Sequence, residues 1–218
     1  MKTALLFGSS GLIGGHLLNI LIQNNSYNKI KIFVREQPDI NNSKLEIIKT
    51  DFINLKKHTE DVKGDDCFFC IGTTKKNSPS KYEYKRIERD IPVKIAEIAK
   101  TNSVNSFFYV SSGFADPKNS GVYLRYKGEV EEELKKLNFS KLGIMRPSFL
   151  LGNRKEKRFG EKMGIFLFKL LSPLFLGPLK KMKPIRSEKV AKAMIKISNG
   201  DFKQHVFESN EIVEISNY

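Results

Sequence analysis

The chain has 218 residues, 40% hydrophobic and 28% charged, a length and balance that suit one large globular domain with a substantial core. Its net charge is +14, from 38 basic against 24 acidic residues. This favours anionic partners, but with no basic tail and no nucleic-acid motif, specific nucleic-acid binding is not expected. No run of about 18 uncharged apolar residues is present to span a bilayer, and Met1-Lys2-Thr3 leads directly into Ala4-Leu5-Leu6-Phe7, too short for a secretory apolar region, so a cytoplasmic protein is expected.

Residues 3–7 form the first predicted strand. Gly8-Ser9-Ser10-Gly11-Leu12-Ile13-Gly14 follows, and then a helix over 12–22 with Ile13, Leu17, Leu18 and Leu21 on one face. Gly-x-x-Gly-x-x-Gly between a first strand and a first helix is a variant of the dinucleotide fingerprint. Gly8 permits the tight turn, Gly11 lets a pyrophosphate approach the backbone, and Gly14 lets helix and strand pack closely. The free N–H groups and the helix dipole then face the phosphates.

The second predicted strand, 30–34, ends at Arg35-Glu36. An acidic residue here would hold the ribose 2′-OH of NAD, whereas an arginine suits a 2′-phosphate. Arg35 therefore points to NADP(H) in preference to NAD(H), although Glu36 beside it could take the other role. A strand over 45–48 leads to Asp51, a candidate partner for an adenine amino group. A strand over 66–71 ends in Ile71-Gly72-Thr73-Thr74, where Gly72 would let a cofactor pass close to the backbone. Cys67 and Cys70 lie in that strand. A lone Cys-x-x-Cys in a chain with three histidines reads as a pair of small core residues in a reducing compartment, and no metal site is expected.

A helix over 84–100 carries Ile87, Ile91, Ile95, Ile98 and Ala99, and a strand over 107–111 runs into Ser111-Ser112. The next helix, 123–137, opens with Tyr123-x-x-x-Lys127. Positions i and i+4 share a helix face. A tyrosine there can pass a proton to or from a substrate oxygen, and a neighbouring ammonium favours the phenolate and can hold a nicotinamide ribose. The spacing alone is weak: Tyr27 and Lys31 share it, outside any such context. Its place after the fifth strand, with Ser112 or Ser111 available to hydrogen-bond a carbonyl, makes Tyr123 and Lys127 the candidate catalytic pair. The strand over 142–145 exits through Arg146-Pro147, and the loop after Pro147 would line the nicotinamide side of the cleft. Strand–helix alternation of this kind implies an α/β fold, a doubly wound parallel sheet of Rossmann type with helices on both faces.

The glycine turn, Gly72-Thr73-Thr74, Arg86-Ile87-Glu88-Arg89-Asp90, Ser111-Ser112, Tyr123-x-x-x-Lys127-Gly128-Glu129-Val130-Glu131 and Arg146-Pro-x-x-Leu-Leu together resemble an atypical short-chain dehydrogenase/reductase, most closely the Tat-interacting-protein-like oxidoreductase family, over residues 3–160. The resemblance implies NADP(H) contacts from Ser10, Gly11, Leu12, Ile13 and Arg35, with Tyr123 and Lys127 in the catalytic roles. It supplies no substrate. The expected activity is hydride transfer on a carbonyl/alcohol small molecule; the rival is a non-enzymatic NADP(H)-binding regulator.

The chain past residue 160 matches that pattern less well. The apolar stretch 163–179 is flanked by Arg154, Lys155, Lys157, Arg158, Lys162, Lys180, Lys181 and Lys183. It reads as part of a substrate-covering region about 148–186 within one domain of 1–218. A homo-oligomer interface and a contact with an anionic membrane surface are the alternatives. Ser187 is the expected N-cap of a helix that ends at Asn199-Gly200.

Overall fold

The computed structural model describes residues 1–151 and 183–218. Seven strands form one sheet in which every pair is parallel: β1 (Lys2–Phe7), β2 (Tyr27–Val34), β3 (Leu45–Lys49), β4 (Asp66–Phe69), β5 (Ser106–Val110), β6 (Lys141–Arg146) and β9 (Val206–Glu208). Their order is β3-β2-β1-β4-β5-β6-β9. The chain moves outward from β1 to β3 and then returns to β4 on the other side of β1. The strand order reverses there, at the place where ligands bind in doubly wound folds. Two short strands, β7 (Leu150–Leu151) and β8 (Ile185–Arg186), pair apart from it.

Strands buried on both faces are apolar at consecutive positions, and alternate residues feed two cores. Leu6, Phe68, Phe108, Met145 and Phe207 meet α1 (Leu12–Gln23), α5 (Ser187–Asn199) and α6 (Ser209–Asn217) on one face. Leu5, Phe7, Cys67, Phe69, Phe107 and Tyr109 meet α3 (Ile91–Thr101) and α4 (Val122–Lys136) on the other. Phe7 stacks on Phe33 with ring centroids 4.1 Å apart, and Phe68 on Phe108 at 5.0 Å. The Rossmann-type expectation is met, and Cys67 and Cys70 stand as free thiols. Burial comes first among the causes that push the Cys70 thiol up to about 12, well away from thiolate reactivity at neutral pH.

Three local expectations are corrected. The fourth strand ends at Phe69 instead of 71: the Cys70 N–H makes the last bond to β1, at the Phe7 carbonyl, where β1 itself ends and Gly8 begins the turn. Ser187 lies inside α5, one residue past the Arg186 cap, and is buried. The helix expected over 84–100 is three pieces: α2 (Lys81–Lys85), a π-helical turn (Arg86–Asp90) and α3. Pro92 accounts for the middle piece. Its ring would clash with the carbonyl four residues back, that of Glu88, so the backbone widens there. The Ile91 N–H accordingly reaches back five residues to Arg86. The expectations for 163–179 and its basic flank, apart from Lys183, lie outside the described residues.

Candidate active site

The glycine turn is built as the fingerprint requires. Gly8 has φ +89°, a left-handed conformation natural to glycine. A Cβ there would stand 2.8 Å from the Cys70 carbonyl carbon, and one on Gly14 would lie 2.0 Å from the Gly8 oxygen. The turn closes through Gly11 N–H to the Gly8 oxygen at 3.0 Å. Gly11 caps α1 with no side-chain hydrogen bond, and the first turn contains no acidic residue. Its leading N–H groups thus meet no competing side-chain acceptor, and the dipole favours an anion. Ser10 and Gly11 are exposed, Leu12 is half-buried and Ile13 is buried, its side chain belonging to the core. This turn fits a pyrophosphate approaching close to backbone.

From there a continuous line of contacts reaches the catalytic candidates. Gly8 lies against Cys70, and Ile71 and Gly72 follow. A Cβ on Gly72 would come 3.4 Å from Glu88 Oε1. The Thr73 N–H donates to that oxygen at 2.5 Å. The other carboxylate oxygen of Glu88 pairs with Lys127 Nζ at 3.1 Å, both groups being buried. Lys127 also donates to the Val110 carbonyl at 3.1 Å. It lies 4.8 Å from the ring centroid of Tyr109 and 5.8 Å from that of Tyr123. Burial alone would lower the lysine pKa, but Glu88, then Tyr109 and Tyr123, outweigh it and hold the ammonium well above its ordinary value. Burial likewise pushes the Tyr109 phenol up. Tyr123 is 39% exposed at the first turn of α4, the one ring of this group that faces solvent.

Glu88 is the member of this site that motif reading missed. Its signal was present: Arg86-Ile87-Glu88 precedes Pro92, and the π-helical turn that Pro92 imposes carries Glu88 inward. Such turns recur at functional sites.

The two serines part company. Ser111 is buried and its hydroxyl donates to Glu131 Oε1 at 2.5 Å. Glu131 in turn holds Arg146 through Nε at 2.9 Å and Nη2 at 2.5 Å. Hydrogen bonding to Glu131 is the first cause that raises the Arg146 pKa above its usual value. Arg146 also reaches Glu208 and the Ala115 carbonyl. Ser111 thus belongs to a knot that ties β6, α4 and β9 together. Ser112 is half-buried, and its hydroxyl makes a 3.3 Å bond to the Gly113 carbonyl. Pro147 is buried, and its carbonyl accepts the Gly113 N–H at 2.9 Å, joining the exits of β5 and β6.

Arg35 and Asp51 sit farther out, at the ends of β2 and β3, and both are exposed. The Asp51 carboxylate accepts the Ile53 N–H at 2.8 Å, a bond that leads the causes holding its pKa below the ordinary value. A groove of about 470 Å³ beside this corner is lined by Phe52, Leu55, Arg86, Arg89, Ile91 and Glu97. Neither the glycine turn nor Tyr123 borders it.

The sheet order and the glycine turn define a Rossmann-type nucleotide-binding protein. The family model described as NAD(P)H-binding matches residues 8–165, and the chain belongs to that family. Protein HTATIP2 of Rattus norvegicus is 34% identical over 166 residues, 73% of this chain and 67% of its own. Protein FMP52-1, mitochondrial, of Scheffersomyces stipitis is 28% identical over 232 residues, 98% of each. Among solved structures, the Bordetella bronchiseptica enzyme WbmH in complex with NAD+ superposes with a TM-score of 0.70 at 17% identity, over 100% of this chain and 79% of that one. The chain is an atypical short-chain dehydrogenase/reductase of the HTATIP2-like, NAD(P)-binding kind. The expectation of a cytoplasmic location is overturned: the FMP52 relatives are named as mitochondrial proteins. Free thiols fit any reducing compartment, so they could not separate one from another.

Proposed function

We propose that this protein is an NADP(H)-dependent oxidoreductase acting on a carbonyl/alcohol pair, with Tyr123 as acid/base. The observation that carries the reading is the unbroken line from the glycine turn through Gly72 and Glu88 to Lys127 and Tyr123. The backbone of 8–14 would hold the pyrophosphate, the Ile71–Gly72 bend would pass beside the cofactor, and Arg35 would fork onto a 2′-phosphate. When bound, the nicotinamide supplies or accepts the hydride. Tyr123 moves the matching proton at its phenol oxygen, Ser112 donates a hydrogen bond to the substrate oxygen, and Lys127 provides fixed positive charge beside both. Glu88 anchors that charge to the strand exit of β4 through the Thr73 amide.

A second reading has one observation in its favour. The Lys127 ammonium is already engaged by Glu88 and by the Val110 carbonyl, which suits a protein that binds NADP(H) without turnover. Tyr123→Phe separates the two. For an enzyme, NADPH oxidation with a carbonyl panel falls about 10²- to 10⁴-fold, while NADPH binding persists. Wild-type protein that binds NADPH but turns over no carbonyl or alcohol of any class contradicts the enzymatic reading.

A further inference from the structure

The oxidoreductase reading leaves the substrate open, and the surface beside Tyr123 narrows it. Four of the large apolar side chains exposed among the described residues lie on the segments that follow β5 and β6 and on the first turn of α4: Phe114 at 56%, Val122 at 42%, Tyr123 at 39% and Phe149 at 71%. Backbone bonds bring their segments into one place. The Gly113 N–H meets the Pro147 carbonyl at 2.9 Å, and the Asp116 N–H meets the Leu124 carbonyl at 3.2 Å. The loop holding Phe114 is therefore clamped between the loop holding Phe149 and the first turn of α4.

Phe114 has a further peculiarity. Its φ is 64°, the left-handed region, which a bulky side chain adopts only under strain. An exposed aromatic in a conformation that favours glycine gives the fold nothing in return, and such strain concentrates where a ligand is gripped. Two cations at this edge, the buried Lys127 and the half-buried Arg146, point the same way. Lys127 is paired with Glu88, and Arg146 with Glu131 and Glu208, so neither is left to receive an anionic substrate.

Resting on the enzymatic reading above, we infer that the substrate is an apolar carbonyl compound or alcohol, its oxygen at Tyr123 and Ser112 and its hydrocarbon body against Phe114, Val122 and Phe149.

The test is binding of unbranched alcohols, 1-butanol to 1-decanol, to the full chain saturated with NADPH, measured by calorimetry. Affinity is expected to rise roughly three- to fourfold for each added methylene. Phe149→Ser should flatten that series, weakening 1-decanol at least tenfold more than 1-butanol. Phe114→Gly should weaken 1-decanol while leaving Tm unchanged or higher, since glycine relieves the φ strain. An affinity independent of chain length overturns the inference, as does a fall in Tm for Phe114→Gly, which would make Phe114 a structural residue. Turnover is read separately on the matching aldehydes. Turnover of no carbonyl or alcohol of any class contradicts the oxidoreductase reading, whereas the chain-length series judges the apolar wall alone.

Discussion

At the scale of the residue, the proposed chemistry rests on how Lys127 is kept charged in a buried position. Glu88 supplies the counter-charge at 3.1 Å. With its pKa raised above the unfolded value, the lysine contributes stability that is fully present below the unfolded value of about 10.4 and is lost as pH rises through the higher folded value. The pair therefore contributes a constant term across neutral pH. Glu88→Gln should invert this. The lysine would keep its burial and lose its partner, at a cost of about 3–5 kcal/mol. Its folded pKa would drop below the unfolded one, so the variant's stability should rise with pH toward 10, where the parent's does not. Denaturant melts at pH 7, 8.5 and 10 show the sign directly. Parallel curves for the two proteins would mean that the pair is not the main partner of Lys127.

Tyr123 and Lys127 were legible because the chemistry demands a fixed i, i+4 spacing on a helix after the fifth strand. Glu88 was not, because it enters through a π-helical turn that breaks helical periodicity, and its partners lie 15 and 39 residues away along the chain. Ser111 and Ser112 could not be told apart for a similar reason: the link from Ser111 to Glu131 is tertiary, and nothing in Ser111-Ser112 says which hydroxyl the fold engages.

At the scale of the element, the sequence reading recovered six strands of the parallel sheet and the helices between them. Their apolar runs and helical faces are long enough to declare themselves. It missed β9 and α6. Three residues, Val206–Glu208, form a strand only because the edge of β6 is open to pair with Ile144, Met145 and Arg146. The helix after it is capped by a box with Glu208 in the place usually held by serine or threonine, reciprocated by Glu211. The glycine turn is the element on which the proposed binding depends. Gly14→Ala would force a methyl group to 2.0 Å from the Gly8 carbonyl oxygen, so the turn must open. NADPH affinity should fall at least tenfold, measured by calorimetry, with a lowered Tm. An unchanged affinity would remove the turn from the binding site. Arg35→Ala should weaken NADPH by about 10- to 100-fold, the weight of one or two charge-assisted hydrogen bonds, and leave NADH nearly untouched.

At the scale of the whole molecule, the sheet order places every candidate group on one edge: the glycine turn after β1, Gly72 after β4, Ser112 after β5 and Pro147 after β6. Glu88 and the Arg146–Glu131 knot brace that edge from the α3–α4 layer. A ligand bridging these strand exits should stabilise the folded state as a unit. At NADPH concentrations about 100 times Kd, linkage adds about 2.7 kcal/mol. For a chain of this size that raises Tm by roughly 5–10 °C. A thermal scan with and without nucleotide checks it, and a shift confined to a small part of the transition would indicate that the edge does not act together.

We propose that this edge binds NADP(H) through the glycine turn and reads the 2′-phosphate at Arg35. The most direct test is calorimetric titration of the purified chain with NADPH and, separately, with NADH. Clear binding of NADPH, weaker binding of NADH, and loss of the difference in Arg35→Ala are expected. Equal affinity for the two nucleotides in the parent chain would contradict the role of Arg35, and binding of neither would contradict the nucleotide site itself.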